Sequence, residues 1–208
     1  MPQGKRRFSK EARRPRTYLS HVITITSETG VGSTTAINGL SERLGGMWRY
    51  VSGGGIMRRF AHELGMTIEA FAAHAREHPE RGFDALCDKA MAEYGKQNYT
   101  VLEGRLPHVF VPHAFHVRLM CPYGTRAMRR YKDSDGISRK EVERRIRERD
   151  QNDRERYDKL YPGWAWPDSD FDCVVPTIGP PKYVVETILA EHARWQKKTE
   201  IRRVINLK

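Results

Sequence analysis

Hydrophobic and polar positions along this chain change period several times, and the changes divide it into alternating strands and helices. The run from Leu19 to Thr26 contains Val22, Ile23, Thr24, Ile25 and Thr26 in succession. A strand covered on both faces reads as a continuous β-branched run, so this segment predicts a buried first strand. From Thr34 to Leu44 the apolar positions Ala36, Ile37, Leu40 and Leu44 recur at helical spacing and stop at Gly45-Gly46, which predicts a helix with a glycine terminus. Between the two lies the glycine-rich loop from Ser27 to Thr35.

Further along, Trp48 to Ser52 predicts a second strand closed by the loop Gly53-Gly54-Gly55, and Ile56 to Leu64 a helix that ends at Gly65. Thr67 to Arg76 and Glu80 to Tyr94 read as two helices separated by Pro79. Tyr99 to Leu102 is the third strand, joined by a proline-containing loop to a fourth from Ala114 to Met120. From Pro122 to Leu160 the chain is highly charged with mixed sign, and the turn Asp133-Ser134-Asp135-Gly136 tips a hairpin of two helices. Phe171 to Val175 is the fifth strand, and Tyr183 to Trp195 a closing helix with the stripe Val184, Val185, Ile188 and Leu189. Strands mostly separated by helices imply an α/β fold, a five-stranded parallel sheet with helices on both faces.

Composition adds limits. With 208 residues, 38% hydrophobic and 30% charged, the chain has the material for one globular core. No apolar run reaches the roughly 20 residues of a membrane span, and the basic N-terminus lacks a signal-peptide core, so a cytoplasmic protein is expected. Cys87, Cys121 and Cys173 are too far apart for a zinc or disulfide framework and are expected to pack as thiols. The pairs His74/His78 and His113/His116 have no further ligands beside them in sequence.

The net charge of +11 changes meaning once it is located. Residues 1–16 carry seven Lys/Arg against Glu11, and residues 194–208 carry six against Glu200. These two ends account for the whole excess, and the body between them is balanced. Residues 1–18 and 196–208 are therefore read as basic tails flanking a domain at 19–195. Such tails suit disorder and solubility, while docking on RNA or an acidic partner stays open.

The loop carries the first chemistry. Gly30-Val31-Gly32, directly after a strand and before a helix, lets several backbone N–H groups converge on one anion, with Ser33, Thr34 and Thr35 opening the helix. Thr34 has the hydroxyl, at the position, that reaches a Mg²⁺ ion bridging nucleotide phosphates. Against the Walker A pattern, Ser27 replaces the first glycine and Ser33 replaces the lysine that balances charge on the terminal phosphates.

Three further groups lie downstream. Ser52 precedes the flexible glycines and a helix whose first turn bears Arg58 and Arg59, a segment able to clamp a second phosphate. Glu103-Gly104-Arg105 follows the third strand at its C-terminal end, where ligands of open parallel sheets bind. On the helix from Arg139 to Leu160, Val142, Ile146, Arg149, Asp153, Arg156 and Leu160 share one face.

Taken in order, Gly30-x-Gly32, Tyr50-Val51-Ser52-Gly53-Gly54-Gly55-Ile56-Met57-Arg58, Val101-Leu102-Glu103-Gly104-Arg105 and Arg149-x-x-x-Asp153-x-x-Arg156 resemble the cytidylate kinases, above all the short archaeal type. Gly55 stands where that type commonly has glutamate, and Ser33 where most members have lysine. The resemblance implies a P-loop nucleoside monophosphate kinase fold, with an NMP-binding region at about 52–98 and a lid at about 131–142. It implies transfer of the γ-phosphoryl group of ATP, with Mg²⁺, to CMP or dCMP. Gly30, Val31, Gly32, Ser33, Thr34 and Thr35 would hold ATP, with Thr34 on the metal. Ser52, Arg58, Glu103, Gly104, Arg105, Arg149, Asp153 and Arg156 would hold the acceptor, with Arg105 and Arg149 also catalytic. Lid arginines would partly replace the lysine. The alternative is a weakly active or silent nucleotide-binding relative serving as a sensor or assembly component.

Overall fold

The structure is a computed structural model that describes residues 21–78, 81–134 and 136–206, without the side chains of residue 76 and residues 202–206. Five strands form one sheet in the order β2-β3-β1-β4-β5, all parallel. They are β1 (Val22–Thr26), β2 (Arg49–Ser52), β3 (Thr100–Gly104), β4 (Phe115–Met120) and β5 (Cys173–Pro176). Every residue of β1 is buried, as its β-branched run predicts for the central strand. Ile23 and Ile25 face one layer, packing with Leu40, Val185 and Ile188; Val22 faces the other, with Leu102, Met91 and Ile56. Thr24 and Thr26 are buried too, and their hydroxyls are satisfied by the Nδ1 atoms of His116 (2.8 Å) and His108 (3.1 Å).

The helices are α1 (Ser33–Leu44), α2 (Gly53–Glu63), α3 (Ile68–Glu77), α4 (Phe83–Tyr94), α5 (Pro107–Phe110), α6 (Tyr123–Lys132), α7 (Arg139–Leu160) and α8 (Pro181–Asn206). The charged hairpin is α6 and α7, held together by Ala127, Val142 and Ile146. Ser138 caps α7 by accepting from the Glu141 amide at 3.3 Å.

Several predicted boundaries shift for local reasons. The three glycines do not form a loop: Ser52 accepts from the Gly55 amide at 2.9 Å and caps α2, which therefore starts at Gly53. Glu103 and Gly104 do not follow β3 but end it, paired with Ile25 and Thr26 of β1. The proline-containing connection holds the short helix α5, with Pro107 at its first turn. On α7, Leu160, the last residue of the helix, is 41% exposed, and Tyr157 one turn earlier is buried instead.

The final helix does not stop at Trp195. It runs on to Asn206, with Trp195 and Thr199 buried and the Thr199 hydroxyl bonded to the Trp195 carbonyl at 2.9 Å, so the first part of the basic C-terminal stretch is packed helix. Its Lys, Gln, Glu and Arg residues are good helix formers. The N-terminal arm, 1–18, lies outside the described residues, as do Pro79, Glu80 and Asp135. Among the described residues, no helix is long and apolar enough to cross a membrane. Nor does any group of three His, Cys, Asp or Glu side chains gather as a metal centre needs.

Candidate active site

Parallel pairing brings the C-terminal ends of β1, β3 and β4 to one edge, where Thr26 is level with Gly104 on one side and Arg118 on the other. The loop leaving β1 starts there, tied back by the Ser27 amide to the Gly104 carbonyl at 3.4 Å. Gly30 and Gly32 turn it with φ of +77° and +103°, a left-handed backbone that other residues adopt only with strain. Val31 between them is buried in the core. The helix α1 that follows has no side-chain cap on its N-terminus. Its first-turn amides are therefore open to an anion, with the helix dipole in support. Ser33 is the first residue of α1, and Thr34 and Thr35 lie exposed beside it. A hard cation carried by phosphates fits a free hydroxyl at Thr34.

Three guanidiniums grip this loop. Arg105 donates through Nη2 to the Thr29 hydroxyl at 2.6 Å, through Nη1 to the Ser27 carbonyl and through Nε to Asp153 at 2.8 Å. Arg126, 4% exposed, donates to the Thr29 carbonyl at 3.0 Å and to Asp150 at 2.7 Å, with Glu28 at 3.3 Å. Arg129 bridges the Val31 carbonyl (2.9 Å) to the Thr177 carbonyl and hydroxyl beyond β5. The aliphatic stem of Arg130 crosses Gly30 so closely that a Cβ there would meet it at 3.3 Å.

The arginines beside the loop thus come from the end of β3 and from α6, which ends at Lys132, and not from the segment 131–142 expected as a lid. Arg139, the arginine of that segment, is exposed and paired with Glu143 at 3.0 Å on its own helix.

Ser33 stands near Glu103, whose pKa is raised by burial and held back by Arg105, Ser33, Arg149 and Arg58. The predicted acceptor residues therefore come together around Glu103 and Asp153. Asp153 is shared, one oxygen taken by Arg105 and the other by Arg156 at 2.9 Å, and Arg156 reaches Asp84 of α4 at 3.4 Å. Arg149 has a lowered pKa, first from desolvation and then from repulsion by Arg105; Asp153 opposes this, while Arg130 and Arg156 add to it. Arginines crowded to this degree form a receptor for anionic charge. Ser52 differs from the rest, since its oxygen is engaged as the cap of α2.

Beside the Arg105–Asp153 pair opens a cavity of about 390 Å³, walled on its far side by Trp164 and Trp166 and bounded by Glu28 and Arg118. Arg118 holds the aromatic segment by donating to the Trp166 carbonyl and to Asp168 at 2.7 Å.

Comparison with known proteins fits this geometry. The model of the cytidylate kinase-like family matches residues 22–177. The chain belongs to the cytidylate kinase-like family. A cytidylate kinase of Pyrococcus abyssi is 37% identical over 141 residues, 67% of this chain and 75% of that protein. One from Methanopyrus kandleri is 34% identical over 154 residues, 69% and 77% of the two chains. Among solved structures, shikimate kinase from Aquifex aeolicus superposes with a TM-score of 0.55 at 18% identity, covering 82% of this chain and 95% of its own. A gluconokinase from Sinorhizobium meliloti gives 0.56 at 11% identity, covering 88% and 98%. These two share the P-loop kinase fold.

For a cytidylate kinase-like chain, the residues that sequence reading passed over are Arg126, Arg129 and Arg118. The first two had a signal: Arg126, Arg129 and Arg130 fall at helical i, i+3, i+4 spacing directly after a strand. Arg118 had none, because only the β4 register brings it level with the loop.

Next to Arg156, Asp88 of α4 accepts a hydrogen bond from the Tyr161 hydroxyl. Burial pushes the Asp88 carboxyl up to about 6, against the Tyr161 bond and with help from Asp84. The folded protein then holds a proton at pH 4–6 that the unfolded chain has released. This stabilisation is present at low pH and lost as pH rises through about 6. Asp88→Asn should raise the melting temperature relative to wild type at pH 8 by several degrees, on the order of 2–3 kcal/mol. The gap should close on acidification to pH 4. A gap that does not change with pH in calorimetric scans contradicts the assignment.

Proposed function

We propose that the protein is a nucleoside monophosphate kinase that transfers the γ-phosphoryl group of ATP to CMP or dCMP. The observation that carries this reading is the fork of Arg105, which bonds the phosphate loop at Ser27 and Thr29 and the acceptor-side Asp153 at once. A phosphoryl group passing between two nucleotides has to cross the space this side chain spans.

Phosphoryl transfer needs positioning and charge neutralisation more than covalent chemistry. In this reading, the open amides of α1 and the left-handed turns at Gly30 and Gly32 hold the phosphates of ATP, with Val31, Ser33 and Thr35 completing the cradle. Thr34 holds Mg²⁺, which when bound neutralises phosphate charge and fixes its orientation. Arg58, Arg105 and Arg149 hold the acceptor phosphate, and Arg105 and Arg149 stabilise charge as it moves. Arg156 and Asp153 orient the sugar and base, and Glu103 keeps Ser33 in register. Arg126 and Arg129 keep the loop rigid, which a weaker cradle without lysine requires. The segments at about 52–98 and 131–142 serve as acceptor-binding region and lid.

A second reading rests on Ser33 itself, which leaves the Walker lysine position without a cation. A nucleotide-binding relative without turnover would have the same cradle. Incubation with Mg-ATP and CMP, dCMP, UMP or AMP, with ion-exchange separation of products, distinguishes the two. Diphosphate from CMP and dCMP is expected; bound nucleotide with no diphosphate from any acceptor supports the second reading.

A further inference from the structure

The two segments that carry the chain's excess positive charge are far apart in sequence, yet the fold brings their inner ends together. Residues 1–16 lead toward His21 at the start of β1, and the side-chain amide of Gln196 on α8 donates to His21 Nδ1 at 3.0 Å. Lys197 and Lys198 follow directly and are exposed, and Arg202 and Arg203 stand about 10 Å further along the same helix. Arg16 precedes His21 by so few residues that at most about 18 Å of chain separates them. The net charges of the two segments, seven Lys/Arg against Glu11 and six against Glu200, therefore converge on one pole of the domain. Val22, Thr100 and Arg49 are level at this edge of the sheet. The phosphate loop leaves the opposite edge, after Thr26, about 13 Å along β1.

Between the two segments lies an aromatic ledge. Tyr99 holds a φ of +57°, the one non-glycine residue with positive φ among the described residues. For a bulky side chain this backbone is strained, and such strain persists where the surroundings impose it and marks candidate functional positions. The Tyr99 ring lies flat against His21, centroids 4.6 Å apart and planes within 11°, and Trp48 meets it edge-on at 5.7 Å. All three rings are half-buried, and Arg49 next to Trp48 is exposed.

We infer that this pole binds single-stranded nucleic acid, with the two basic segments on the phosphates and the His21–Tyr99–Trp48 ledge stacking a base. Cations that track a backbone beside rings that stack on unpaired bases are the chemistry of single-strand recognition. An acidic peptide would meet the charge and leave the ledge unused, and a duplex keeps its bases stacked on one another. The balanced body of the domain adds no attraction of its own. The site is separate from the phosphate loop and does not depend on phosphoryl transfer.

Fluorescence anisotropy with a labelled single-stranded RNA of about ten nucleotides tests this on the full chain. Binding should weaken about a hundredfold between roughly 50 and 200 mM KCl, the dependence of about five phosphate contacts. One variant carries Arg6→Gln, Arg7→Gln, Arg13→Gln and Arg14→Gln; a second carries Lys197→Gln, Lys198→Gln, Arg202→Gln and Arg203→Gln, with glutamine keeping the helix propensity of α8. If the segments form one site, each variant should bind at least about tenfold more weakly. If they bind separately, at least one variant keeps half or more of the wild-type association constant, which overturns the inference. Tyr99→Asn removes the ring, and asparagine tolerates the left-handed backbone. Affinity should fall about tenfold with no loss in melting temperature. Unchanged affinity in Tyr99→Asn, or equally tight binding of a polyglutamate of matching charge, shows charge attraction alone and overturns the inference, as does wild type that binds no RNA at the lower salt.

Discussion

Replacing Arg105 by alanine is expected to lower kcat/KM for CMP phosphorylation by about a thousandfold, most of it in kcat. Among the described residues no other side chain bonds both the phosphate loop and Asp153: its three nitrogens reach Thr29, Ser27 and Asp153. Removing it leaves Asp153, 17% exposed, with Arg156 alone, and takes a fixed cation from the proposed path of the phosphoryl group. Arg105→Lys should recover little, because one ammonium cannot serve three partners set in a planar fork. Full recovery by lysine, or a rise in KM with kcat unchanged, would show that Arg105 contributes only a point charge to binding.

The second large effect is on stability. Arg126→Met should destabilise the fold by about 3–5 kcal/mol, a fall of about 10 °C in melting temperature for a chain of this length. The Arg126 guanidinium is almost completely buried and satisfies the Thr29 carbonyl, Asp150 and Glu28. Methionine replaces the volume of the stem but leaves a half-buried carboxylate and a loop carbonyl without their donor. Calorimetry of the two proteins at neutral pH measures the difference. A loss below about 1 kcal/mol would place the pair among ordinary surface ion pairs.

What the sequence made legible was set by local chemistry. The buried run of β1, the glycine turn and the helical spacing of α1 and α7 each follow from neighbours in sequence, and the structure has them within a few residues. Ser52 was legible as a hydroxyl but not as a cap, since three glycines in a row read as a loop until the serine side chain closes on the Gly55 amide. The continuation of α8 past Trp195 was not legible, because its basic residues suit a solvated tail as well as a helix. Trp195 and Thr199 are buried along it, however, and that depends on what the helix packs against.

The candidate site shows the same division. The residues proposed for the acceptor were readable as short motifs because they cluster along α7 and at the end of β3. The loop-gripping arginines on α6 were not, because their significance depends on the distance between α6 and a loop almost a hundred residues earlier. Asp84 was passed over for the same reason: only the packing of α4 beside α7 brings it to Arg156.

The central claim is that this loop still supports transfer with Ser33 in place of lysine. Phosphorus NMR of the protein with Mg-ATP and CMP tests it most directly, since substrates and products are followed in one sample. Loss of the ATP γ-phosphate signal with one-for-one appearance of ADP and CDP, dependent on CMP, is the expected result. Unchanged ATP and CMP signals in the presence of enzyme that binds both nucleotides would contradict it.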